Sequence, residues 1–230
     1  MKVKRIFFDS GDVLVYPKSG KWFYPVQYFD WLKKHNATHF SFRQKKNEKE
    51  AIKKLLAYST VKNNIDEYEI FLEFYAMLFN KVWRKDNPEL IQLCAKSKVY
   101  DNTEQLIYPD VEKCLQNLYE KFELSIISDA WPSLKQKYAN LGISHYFSPF
   151  IISTLHGADK SGYKLFEKAL DLVEEKPEEC LFIDDRLDNL RRAAKLGMKC
   201  IQCSRYKKKQ SLEFVVIENF ELLEGIIQIL

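Results

Sequence analysis

The apolar positions of this chain change their period twice. Val3 to Phe8 is a short, β-prone apolar run that stops at Asp9, and Ser10-Gly11-Asp12 breaks it. It reads as a buried strand that delivers a carboxylate to its end. From Pro17 to about Ile107 the apolar residues recur at helical spacing, and no strand is expected there. Residues 22–35 carry aromatics and Leu32 ahead of the lysines of a last turn, and Ser41 is placed to cap a polar helix reaching Tyr58. The clearest helix covers 65–83. Ile65, Tyr68, Phe71, Leu72, Tyr75, Leu78, Phe79 and Val82 recur on one side, with Asp66, Glu67, Glu69 and Glu73 between them. Asn87-Pro88 opens another helix with proline at its first position.

From Tyr108 onward short apolar runs alternate with helical patterns. Helices are expected after Pro109-Asp110, from Pro132 to Leu141, from Gly162 to Val173, from Leu187 to Leu196 and from Glu221 to Leu230. Gly142 and Gly197 supply stop signals for two of them. Strands are expected at Leu124 to Ile127, Phe150 to Ile152, Cys180 to Ile183, Lys199 to Cys203 and Phe214 to Ile217. Alternation of this kind predicts an α/β fold, a doubly wound parallel sheet, with an inserted all-helical cap. The expected division is a core of 1–16 and 108–230, and a cap of 17–107 whose aromatics, Trp22, Phe23, Tyr24, Tyr28, Phe29 and Trp31 among them, form mostly its own core. A few aromatics near Gly20 are placed to line a ligand pocket.

Composition narrows the function classes. A length of 230 residues suits one large domain or a core with a smaller companion, and 46% hydrophobic with 30% charged residues is ordinary for a globular protein. The net charge of +4 is too mild to indicate nucleic acid. The basic clusters Arg43-Lys45-Lys46-Lys49 and Arg205-Lys207-Lys208-Lys209 read as solvated faces, the first interleaved with Glu48 and Glu50. No apolar run is long enough for a membrane span, and the first strand is too short for a signal-peptide core, so a cytoplasmic protein is expected. Five cysteines, an odd number, argue against a disulfide framework. Cys200-x-x-Cys203 falls on a predicted strand, which points its sulfurs to opposite faces. His35 and His39 have i, i+4 spacing without the glutamate of a zinc protease, and read as a helix ending.

The strand ends then line up chemically. The first ends in Asp9 and the second in Ser128-Asp129. The loop after the third carries His156 to Lys160, and the fourth ends in Asp184-Asp185, with Asp188-Asn189 just beyond. In a doubly wound sheet these carboxyl ends converge. A lone carboxylate, a hydroxyl, an ammonium and an acidic cluster are the parts that a Mg²⁺ ion and a phosphate group require.

Over nearly its whole length the chain resembles the haloacid dehalogenase-like hydrolases. Phe7-Phe8-Asp9-Ser10-Gly11-Asp12-Val13-Leu14 matches their nucleophile motif, Ser128 the second motif, and Lys160 with Leu165-Phe166 the third. Phe182-Ile183-Asp184-Asp185 through Asn189, Ala193-Ala194 and Leu196-Gly197-Met198 match the fourth. The resemblance implies an aspartyl-phosphate mechanism on a small phosphorylated metabolite, a sugar phosphate among the candidates. Asp9 would be the nucleophile, and Ser128, Asp129 and Lys160 would bind the substrate, Lys160 also offsetting charge. Mg²⁺ would be held by Asp9, the Gly11 carbonyl and Asp184 or Asp185. Three departures stand out. Gly11 replaces the second Asp of most family phosphatases, Asp129 stands where many have Asn, and Ser161 where Pro usually follows the Lys. The alternatives are a 2-haloacid dehalogenase, which needs no metal, and a catalytically weak member that binds phosphate ligands or a partner protein.

Overall fold

The structure is a computed structural model that describes residues 2–37, 45–83, 87–101, 103–206 and 211–230. The first strand, β1 (Arg5–Phe8), is buried throughout, with Ile6, Phe7 and Phe8 at 0% exposure. Arg5 is tolerated there because its guanidinium is satisfied: it donates to Glu175 at 2.8 Å and to the Ser125 hydroxyl at 2.7 Å. The chain then passes through β2 (Val15–Pro17) and four helices, α1 (Val26–Lys34), α2 (Lys45–Leu55), α3 (Asn64–Trp83) and α4 (Pro88–Tyr100), to β3 (Gln105–Ile107). The remainder is α5 (Val111–Tyr119), β4 (Glu123–Ser128), α6 (Leu134–Asn140), β5 (Phe150–Ile152), α7 (Ser153–His156), α8 (Lys164–Asp171), β6 (Cys180–Asp184), α9 (Leu187–Lys195), β7 (Lys199–Cys203), β8 (Val215–Ile217) and α10 (Leu223–Ile229).

Six strands form one sheet in the order β5-β4-β1-β6-β7-β8, each neighbouring pair parallel. Alternate residues feed opposite faces. Ile6 and Phe8 join Ile126, Ile183 and Ile201 in one core, completed by Leu115 of α5, Tyr138 of α6 and Leu223 of α10. Phe7 joins Ile127 and Phe182 in the other, under Phe166 of α8 and Leu190 of α9. Burial on both faces is why these strands read as continuous apolar runs. The register sets Phe8 beside Ile126 and Ile183, so the residues just beyond emerge at one edge. The sequence reverses direction across the sheet at β1, which makes this edge the switch point where such sheets bind ligands.

The segment between β2 and β3 has its own aromatic core, built from Tyr24 and Tyr28, Phe71, Phe74, Tyr75 and Phe79, and Leu90 and Cys94. Tyr28 stacks on Phe79 with ring centres 5.6 Å apart and an interplanar angle of 2°. Helix α3 packs against α2 and α4, and α4 against α1. Asn63 starts α3 by accepting from the amides of Ile65 and Asp66 at 2.9 and 3.0 Å, and Pro88 occupies the first turn of α4 as expected.

The expectation that no strand lies between Pro17 and Ile107 is corrected. Val15–Pro17 pairs antiparallel with Gln105–Ile107, a two-stranded clasp where the helical segment leaves and rejoins the sheet. Each strand has three residues, too few to show a period, and their partners are distant in sequence. The helical turn α7, ending at Gly157 with φ +63°, is also new; it occupies part of what read as a loop. Ser41, His39, Arg43 and Lys207 to Lys209 lie outside the described residues, as does the side chain of Val82. Cys200-x-x-Cys203 lies on β7 as expected, Cys203 in one core and Cys200 against the other. All five cysteines are free, and no helix among the described residues is long and apolar enough to cross a membrane.

Candidate active site

Asp9 is held at the end of β1 by its own amide, which donates to the Ile183 carbonyl at 2.9 Å and extends the sheet by one residue. The residue is 8% exposed. The turn that follows is tight. Ser10 O accepts from Leu14 N at 2.9 Å, and the Ser10 hydroxyl accepts from Tyr138 of α6 at 2.7 Å. Asp12 adopts φ +59°, a region that aspartate enters more readily than most side chains. Gly11 is required by a close approach: a Cβ there would lie 2.9 Å from the indole of Trp22.

Lys160, 2% exposed, bridges two strand ends. Its ammonium lies 2.6 Å from Asp9 Oδ1 and 2.8 Å from Asp184 Oδ2. Asp129, just past β4, holds the loop in place by accepting the Lys160 amide at 2.9 Å. Asp184 is fully buried and satisfied on both oxygens, by Asn189 Nδ2 at 3.0 Å and by the Arg186 amide at 2.7 Å. Asn189 therefore positions Asp184, whereas Asp188 is exposed and pairs with Arg191. Ser128, 3% exposed, ends β4 and faces the same cavity as Asp9, Gly11, Asp129, Lys160 and Asp185.

The charges here do not balance. Burial pushes the Asp9 carboxyl up to about 7, against the pull of Lys160 and with the help of Asp184 and Asp185. Burial also raises Asp129, again opposed by Lys160. Lys160 itself is held above its ordinary range, because Asp184 and Asp9 outweigh the cost of burying it. Oxygens of Asp9, Asp184 and Asp185 lie within 4.8 Å of one another. Three converging carboxylates with one ammonium leave a deficit of positive charge, and an all-oxygen donor set suits a hard divalent cation. The residues present thus fit a metal ion, with Asp9, Asp184 and Asp185 as its candidate ligands.

The cavity, about 800 Å³, is roofed by the helical segment. Trp22 and Phe23 line it, as expected for aromatics near Gly20, and so do Glu67 and Lys98; Trp131 and Lys137 complete that side from the sheet domain. The last four were not singled out from the sequence. Glu67 and Lys98 sit among charged residues on helices and carry no motif.

Residues 3–197 match the family described as haloacid dehalogenase-like hydrolase. The chain belongs to that family. A protein of Methanopyrus kandleri named glyceraldehyde 3-phosphate phosphatase is 31% identical over 58% of this chain and 59% of its own length. The chain thus spans well under two thirds of that relative. A second protein of that name, from Pyrococcus furiosus, is 30% identical over 73% of this chain and 75% of its own. Among solved structures, a 2-haloacid dehalogenase from Pseudomonas syringae is similar with a TM-score of 0.67 and 16% identity, covering 98% of each chain. That likeness concerns the fold, which hosts more than one chemistry.

Proposed function

We propose that this hydrolase is a Mg²⁺-dependent phosphatase acting on a small phosphorylated metabolite, with sugar phosphates the favoured class. The observation that carries the reading is the charge pattern at Asp9: an ammonium at 2.6 Å and two more carboxylates within 4.8 Å. A cation and a phosphate dianion together would satisfy that pattern. The names of the two sequence relatives support the same substrate class.

In this reading Asp9 attacks phosphorus, forming an O–P bond while the bond to the leaving oxygen breaks. The phosphate oxygens accept hydrogen bonds from the Ser128 hydroxyl and the Lys160 ammonium, with Asp129 keeping that loop in place. Water then cleaves the aspartyl-phosphate, returning Asp9 and inorganic phosphate. Mg²⁺ would be held by Asp9, the Gly11 carbonyl and Asp184 or Asp185, and when bound supplies the positive charge that the cluster lacks. Asp185 is the better placed of the pair to face the substrate, since it is half-buried and lines the cavity while Asp184 is fully buried. Residues 17–107 serve as the cap that closes the cavity. The dehalogenase alternative gains nothing from a cation, and the convergent carboxylates weigh against it.

The test is hydrolysis of an aryl phosphate. Turnover should appear with Mg²⁺, vanish with EDTA, and be lost in Asp9→Asn, which alters charge but not shape. Wild-type turnover in Asp9→Asn would refute the nucleophile, and turnover of a 2-haloacid in EDTA would favour the alternative.

A further inference from the structure

Two lysines in the cavity are left over from the chemistry at Asp9. Lys137 of α6 is 8% exposed, and its ammonium donates to the Lys98 carbonyl at 2.6 Å. Lys98 of α4 donates in turn to the Trp22 carbonyl. An ammonium has three N–H donors, so each keeps two with no protein acceptor among the described residues. Neither has a carboxylate within 4.0 Å among those residues. Glu67, the carboxylate that reaches this wall, is taken up by Ser133, accepting its amide at 2.8 Å and its hydroxyl at 2.7 Å. Two neighbouring cations, Lys137 buried and Lys98 half-buried, without a contact ion pair among the described residues, are costly to keep. An anion between them removes that cost.

We propose that Lys98 and Lys137 form a second anion subsite, which selects phosphomonoesters carrying a carboxylate or a further phosphate at the end remote from the scissile group. The inference rests on the phosphatase reading of the same cavity and adds the substrate's second recognition element. The two subsites are separate. Lys160 is committed to Asp9 and Asp184, whereas Lys98 and Lys137 meet each other between α4 and α6, with Lys98 on the Trp22 carbonyl. A short substrate would span that seam and tie the two parts together.

Electrostatics agree with the geometry. Burial lowers Lys98 to about 7, with Lys137 adding to the fall and Glu104 and Glu67 opposing it. Burial likewise lowers Lys137, against Glu67, Glu104 and Asp101. A bound anion would favour the protonated form of both. These groups come from α3, α4, α6 and the residues before β3; the Trp22 segment, which also faces Lys98, offers it a backbone carbonyl.

The experiment compares kcat/KM of the full-length protein with Mg²⁺ on matched phosphoesters. 3-Phosphoglycerate and glyceraldehyde 3-phosphate differ as carboxylate and aldehyde at one carbon. Glycerol 1,3-bisphosphate and glycerol 3-phosphate test a second phosphate against a neutral end. At least one anionic member should exceed its neutral counterpart by about ten- to a hundredfold, as expected for a charge-assisted contact out of water. Whichever arm gains identifies the anion. Lys98→Met and Lys137→Met should each bring that ratio towards one. In the wild type the ratio should fall as pH rises past 7 and Lys98 loses its proton, which a purely structural lysine would not cause. Equal rates on charged and neutral members, or a preference surviving both substitutions, would overturn the subsite even if the variants fold poorly, since the first comparison needs only wild type. Absence of turnover on every phosphoester, an aryl phosphate included, would instead overturn the phosphatase reading and the subsite with it.

Discussion

Replacing Lys160 by methionine tests whether the site is built around a charge deficit. The side chain is 3% exposed, and its ammonium sits 2.6 and 2.8 Å from carboxylates on two strand ends. At an effective dielectric of about 20, a pair at this separation attracts by about 6 kcal/mol, part of which desolvation cancels. Removing one partner of a buried pair typically costs about 3–5 kcal/mol, because the other charge is stranded. Here two are stranded, close to Asp185. The variant has one escape, protonation of Asp9, which burial already holds near 7 with Lys160 in place. A carboxyl whose folded pKa exceeds its unfolded value of 3.8 makes stability fall with rising pH between those two values. The slope is at most about 1.4 kcal/mol per pH unit. In the wild type this contribution flattens above about 7; in Lys160→Met it should continue to higher pH. Urea unfolding at pH 6, 7 and 8, with EDTA and with Mg²⁺, reads both effects. The expected result is a loss of about 3 kcal/mol or more at pH 8 in EDTA, smaller at pH 6, and a larger Mg²⁺ stabilisation in the variant than in the wild type. A variant within about 1 kcal/mol of wild type at pH 8 in EDTA, or equal Mg²⁺ effects on both proteins, would refute the reasoning.

Further predictions concern the metal and the missing acid. Mg²⁺ affinity, measured by calorimetry, should drop about tenfold per pH unit below 7, because the cation competes with the proton on Asp9; an affinity flat from pH 5 to 7 would remove Asp9 from the ligand set. Without a carboxylate at position 11, general acid–base help worth about 10²–10⁴-fold is absent there. Aryl and anomeric sugar phosphates should therefore outrun alkyl phosphates, and rapid quench should show a phenol burst before slow turnover. Asp12→Asn checks the nearest substitute: a large fall in turnover, with no burst in wild type, would assign Asp12 that role. Gly11→Asp alone should lose stability against the Trp22 ring, and Gly11→Asp with Trp22→Ala should recover it and speed the slow phase; equal stability of both would contradict the close approach.

The strand-end chemistry was legible in the sequence for a physical reason. Strands buried on both faces are unbroken apolar runs, and the polar residue that ends each one marks where the sheet meets solvent or ligand. Asp9, Ser128, Asp184 and Asp185 could be aligned on that basis alone. Lys160 could be gathered only as an ammonium in the loop after the third strand, and its role came from the resemblance, because a lysine in a loop carries no periodic signal; its place between Asp9 and Asp184 appears only once β1 and β6 are paired. Glu67 reads as a polar spacer on an amphipathic helix, yet it is 1% exposed because Ser133, on the other side of the seam, takes both oxygens. Lys98 and Lys137 are 39 residues apart and meet through a backbone carbonyl, which leaves no trace in side-chain pattern. The clasp of β2 and β3 was hidden for the same reason, being short and non-local.

Gly11 gains a different meaning from this arrangement. In sequence it is a missing carboxylate; in structure it is half of a contact, with the Trp22 ring lying where a side chain at 11 would begin. In the proposed mechanism an apolar wall beside Asp9 would keep water from the nucleophile during phosphoryl transfer, which strengthens the electrostatics there, and it would also deny the phosphoenzyme the water that must release it. The same wall is tied to the far end of the cavity. Ser133 holds Glu67, Lys137 holds the Lys98 carbonyl, and Lys98 holds the carbonyl of Trp22. Whatever engages Lys98 acts on the last link of that chain. In the proposed subsite, a ligand that draws the Lys98 ammonium towards itself would weaken the tether on Trp22, and departure of the leaving group with its anionic end would restore it. Substrate selection and water access would then share one side chain, so a change at Lys98 should alter both the choice of substrate and the rate of dephosphorylation, whereas a change at Ser128, which faces the same phosphate oxygens in both steps, should slow both and leave the choice of substrate unchanged.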